Sequence, residues 1–100
     1  MKIPVERLKG RTVITSDGLA IGEIDTLFLD GTAWRIASLR VRLRKEVADR
    51  LGAEHSLFRA GFVEIPIRMV QSAGDAVVLS VPEGALRQVL PEEVEPEPTP

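Results

Sequence analysis

The stretch Gly10-Arg11-Thr12-Val13-Ile14-Thr15-Ser16-Asp17-Gly18-Leu19-Ala20-Ile21-Gly22-Glu23-Ile24-Asp25-Thr26-Leu27-Phe28-Leu29-Asp30 decides the fold. Its first β-branched run, residues 11–15, stops at Ser16-Asp17-Gly18, where Asp can bond its own backbone and Gly can take a positive φ. This reads as one arm of a hairpin. The second arm, residues 23–30, runs into another Asp-Gly at Asp30-Gly31. Residues 34–44 then form the longest candidate strand, so two turns predict three antiparallel strands.

That third run carries a phase shift. Leu39, Val41 and Leu43 fall on one face with Arg40, Arg42 and Arg44 opposite, yet Ile36 sits on the arginine parity. A bulge near Ala37-Ser38 reconciles the two halves. From Lys45 the period changes: Val47, Ala48 and Leu51 share one side of a short helix, with Gly52 as its stop. Residues 54–61 read as a loop with an apolar Leu57-Phe58 tip. Alternation returns at Val63, Ile65, Ile67 and Met69, and Pro66, lacking a donor, belongs at an edge, bulge or strand end. A turn at Ala73-Gly74-Asp75 leads into residues 76–81, too apolar for a solvated edge. Residues 82–90 place Leu86, Val89 and Leu90 on one side of a C-terminal helix. The layout is mainly β: three strands, a helix, two strands and a helix, predicting a small barrel or a coiled antiparallel sheet.

One hundred residues, 44% of them apolar, make a single domain. It is read over residues 1–90. Residues 91–100 alternate proline and glutamate with little to bury, an acidic disordered tail. Glu92, Glu93, Glu95 and Glu97 hold four of the 15 acidic residues, leaving residues 1–90 with 13 basic against 11 acidic groups. That balance is modest for a nucleic-acid binder. The absence of cysteine removes disulfides, thiolate nucleophiles and Cys-type zinc sites, and a single histidine, His55, excludes sites needing two. Neither a leader pattern nor a run near ~20 apolar residues is present, so a cytoplasmic chain without a membrane span is expected.

The motif Asp17-Gly18-Leu19-Ala20-Ile21-Gly22-Glu23-Ile24, preceded by Gly10, resembles the opening hairpin of the PRC-barrel family. Ile65-Pro66-Ile67-Arg68-Met69-Val70, followed by Gly74-Asp75-Ala76-Val77-Val78-Leu79, resembles that family's closing pair. Both occur in the right order, over about residues 5–90. Residues 45–61 depart from the pattern, being longer and more helical. The resemblance implies a β-barrel without known catalytic residues, used as an assembly or adaptor module and often dimeric. Similar domains form the cytoplasmic part of the photosynthetic reaction-centre H subunit and the C-terminal part of a ribosome-maturation factor.

Candidate sites are few. Glu54-His55-Ser56 are consecutive, and consecutive side chains rarely converge as a catalytic set must. Asp17, Asp30 and Asp75 each adjoin a turn that explains them. No phosphate loop, metal spacing or dinucleotide fingerprint is present. No enzyme activity, cofactor or metal is therefore expected. Arg40, Arg42 and Arg44, with Lys45, form a basic strand face whose spacing of about 7 Å matches phosphates or carboxylates. The plain alternative pairs them across strands with Glu23, Asp25 or Glu64. Trp34, Leu57 and Phe58 are candidates for a protein contact. The expected function is a non-enzymatic homodimeric adaptor that docks onto another protein. The alternative is an RNA- or ribosome-associated factor using the arginine face, and a small-ligand carrier ranks below both.

Overall fold

The computed structural model describes residues 2–52 and 61–86. One six-stranded sheet runs in the order β4-β3-β2-β1-β6-β5. Its strands are β1 (Thr12–Ile14), β2 (Ala20–Asp30), β3 (Arg35–Leu43), β4 (Phe62–Pro66), β5 (Val70–Ala73) and β6 (Val77–Leu79), and α1 (Lys45–Gly52) lies between β3 and β4 in the chain. The mainly β fold with a mid-chain helix agrees with the sequence reading. Residues 83–86 are helical where a C-terminal helix is expected. Its continuation through 87–90, the segment 91–100 and the loop holding Glu54, His55, Ser56, Leu57 and Phe58 lie outside the described residues.

The three N-terminal strands form the expected antiparallel meander. Thr15 ends the first arm and is almost fully buried, because its hydroxyl accepts from the Leu19 amide at 3.2 Å and donates to the Asp17 carboxylate. Gly18 turns the chain at φ +86°. Gly22 then lies between Val13 on β1 and Leu43 on β3. A Cβ at Gly22 would overlap the carbonyl oxygen of Arg42, so only glycine lets β2 and β3 approach this closely. Ala37 is the bulge: Phe28 opposes Ser38 while Leu29 opposes Ile36. The phase shift in the sequence is thus a real break in register.

Buried Val13, Ile21, Ile24, Leu39, Val41 and Ile65 form the centre of the core. Val47 and Leu51 of α1 join it, as their helical spacing requires. Arg50 of α1 bonds Glu83 at 2.6 Å, tying the helix to the turn that carries buried Leu86.

Of the two architectures expected, the open sheet rather than the closed barrel is found, with β4 and β5 as its two edges. Two features differ from the expectation. The sheet is mixed, because β1 and β6 pair in parallel, Val13 with Val77 and Ile14 with Val78. The run 63–69 is not one strand. Pro66 ends β4, Ile67–Met69 make a 3-10 turn, and the Val70 amide donates to the Ile67 carbonyl. This corner adds β5 to the strand count. Val77 and Leu79 of β6 are buried and the strand is internal, as its apolar sequence demands.

Candidate functional site

The β2–β3 hairpin projects its tip beyond the core. Asp30 organises the tip: its Oδ1 accepts from the amides of Thr32 at 2.9 Å and Ala33 at 3.2 Å, and its carbonyl accepts from the Trp34 amide at 2.8 Å. The turn therefore runs through Trp34, and the residue with positive φ is Trp34, at +58°, rather than Gly31. A bulky side chain is unfavourable there. Trp34 is nonetheless 80% exposed, beside Leu29 at 51%. Strain and exposure meet at one indole.

The arginines separate by strand register. Arg40 opposes Thr26 and Glu64 on the outer face, and Arg42 opposes Glu23 and Phe62. The Arg40 guanidinium donates to Asp25 Oδ2 from Nε at 3.0 Å and from Nη2 at 2.7 Å, and to Thr26 Oγ1 at 3.1 Å. It also lies over the rings of Phe62, 5.1 Å from its centroid, and Phe28, 6.0 Å away. These contacts hold the Asp25 carboxyl below its ordinary range, the Arg40 hydrogen bond first and that of Thr26 second. Arg42 reaches Glu23 at 3.4 Å in solvent. Glu64 accepts instead from the Ser38 hydroxyl at 2.5 Å. Arg44 lies past the end of β3, exposed and without an ion-pair partner among the described residues. The basic face is therefore mostly engaged within the sheet.

On the other face lies a cleft the sequence does not announce. Leu8, Leu27, Ile36, Ile67, Val70 and Ala73 are among its walls, and its lining is apolar throughout. Its volume is about 70 Å³. A benzene-sized guest takes about 150 Å³ and small-molecule sites roughly 300 Å³ or more, so this cleft suits one aliphatic side chain. Ile67 is 40% exposed because the Pro66 corner takes it out of strand alternation. That corner is the one signal by which the cleft could have been found in the sequence. Among the described residues no three His, Cys, Asp or Glu side chains gather as a metal site needs.

Compared with known domain families, residues 2–86 match the PRC-barrel domain. The chain belongs to the PRC-barrel family. Comparison with curated proteins finds no match. In this PRC-barrel the residues of the Asp17–Ile24 motif have separable tasks: Gly18 makes the turn, Gly22 admits the neighbouring backbone, and Ile21 and Ile24 enter the core. Among the described residues no helix is long and apolar enough to cross a membrane.

Proposed function

We propose that this PRC-barrel is a non-enzymatic, cytoplasmic adaptor that homodimerises and docks onto another protein. The observation that carries this reading is Trp34, held in a strained left-handed conformation with most of its surface in water. Strain of this kind persists where surrounding structure imposes it and is concentrated at functional sites. Exposed tryptophan is also the side chain most enriched among binding hot spots. Lower in the hairpin, exposed Leu29 pairs with Ile36, which lines the cleft. Family membership supports an interaction module, and the engagement of Arg40 and Arg42 by carboxylates weakens the nucleic-acid alternative.

The test is a tagged pull-down from nuclease-treated native lysate, with sedimentation of the purified chain. The expected result is a stoichiometric protein partner retained at moderate salt, bound roughly 30-fold more weakly by Trp34→Ala, the loss of a typical hot spot. A chain that stays monomeric at high concentration and retains no protein overturns the reading. Binding that survives only at low salt and needs nucleic acid favours the arginine face instead.

A further inference from the structure

The two edges of the sheet are unequally protected. An open edge presents unpaired amides and carbonyls to any strand that can align with it, and proteins guard such edges with charge, proline or cover. β4 is guarded: Glu64 is exposed along it, and Pro66 ends it without a donor. β5 is not. Its residues, Val70-Gln71-Ser72-Ala73, include neither a charge nor a proline, and Gln71 and Ser72 are exposed. Among the described residues only β6 pairs with it.

The flanks of β5 define what fits there. Arg68 stands just before the strand and Asp75 just after it, and both are exposed. Asp75 has no ion-pair partner among the described residues, and a guanidinium has donors enough for more than one carboxylate. A cation before the strand and an anion after it make the edge self-complementary. A second β5 laid antiparallel brings its Asp75 to the Arg68 end and its Arg68 to the Asp75 end, so the same ion pair forms twice. A parallel copy would set like charges together at both ends.

We propose that β5 pairs antiparallel with β5 of a second copy of this chain, Arg68 of each facing Asp75 of the other. The twofold axis passes through Gln71 or Ser72, because in an antiparallel ladder it must set one residue against its own copy. Two six-stranded sheets then form one continuous sheet whose outer edges are both the guarded β4. Such pairing is closed and stops at two chains. With four residues a side it belongs to the small, transient class of interface. The proposal rests on the homodimer reading and assigns its surface, leaving Trp34 to the docked protein.

The experiment is sedimentation equilibrium of the full chain and its variants, up to about 1 mM, where weak association registers. The wild type is expected to dimerise. Ser72→Lys sets two cations near the axis from an exposed position and should weaken the dimer at least roughly tenfold. Arg68→Glu and Asp75→Arg should each weaken it as well, and the two together should restore it. The chain contains no cysteine, so one of the single variants Gln71→Cys and Ser72→Cys should form a disulfide-linked dimer on mild oxidation, whereas Leu19→Cys, at an exposed turn elsewhere, should not. A dimer that none of these charges alters and neither edge cysteine captures overturns this contact and leaves the homodimer reading standing. A wild-type chain that stays monomeric sinks both. A dimer with the expected sensitivities in a chain that retains no other protein upholds this contact and sinks the docking reading alone.

Discussion

The two ends of β2 solve the same problem in opposite ways. Each needs a residue with positive φ to reverse the chain. At the entry end Gly18 supplies it without strain, Thr15 is buried and satisfied, and Gly22 lets the neighbouring strands close in. At the far end the position falls to Trp34, whose side chain makes the conformation costly and whose surface stays in water. The entry end is arranged for stability. The far end gives up stability to hold an aromatic group in water at a fixed place.

The largest test of that contrast is at Gly22. Gly22→Ala is expected to cost about 3 kcal/mol, because the obstacle is backbone and cannot rotate away. Urea unfolding measures it, and a cost under about 1 kcal/mol would mean that the strands are not held as close as described. Gly18→Ala comes next, at about 1–2 kcal/mol, purely from the left-handed backbone, since a methyl there meets nothing. At the far end the sign reverses. Trp34→Gly is expected to gain up to about 1 kcal/mol by releasing strain while partner capture is lost. Loss of stability in that variant would break the comparison. The smallest effect is on the outer face. Asp25 titrates below its ordinary value when folded, so its contribution is complete above about pH 4 and disappears as pH falls through the lowered value. The stability difference between wild type and Asp25→Asn should therefore narrow with acidification, and a gap that widens below pH 4 contradicts the Arg40 contact.

What was legible in the sequence was local. Ile36 on the wrong parity located the bulge at Ala37, and the Lys45–Leu51 spacing located α1. Of the three acids the alternation offers to the arginines, Glu23 meets Arg42 in register and Asp25 reaches Arg40 from the irregularity between Ile24 and Thr26, while Glu64, opposite Arg40, accepts from Ser38 instead. What escaped depended on distant or nonrepetitive contacts. The parallel pairing of β1 with β6 joins residues that share no local pattern. The corner at Ile67–Met69 keeps every second residue apolar, so alternation reads straight through it. The strained turn was missed because Asp30-Gly31 offers a glycine, yet the Asp30 side chain caps the next amides and moves the left-handed position on to Trp34.

The parallel pairing of β1 with β6 is the seam between the N-terminal meander and the β5–β6 hairpin, and it consists of two residue pairs. Joining Val13 to Val77 closes most of the chain into a loop, a larger entropic cost than either neighbouring hairpin bears. In kinetic terms the seam is the last part of the sheet to close, because it is held by fewer residue pairs than any other pairing in the sheet and rewards its loop closure least.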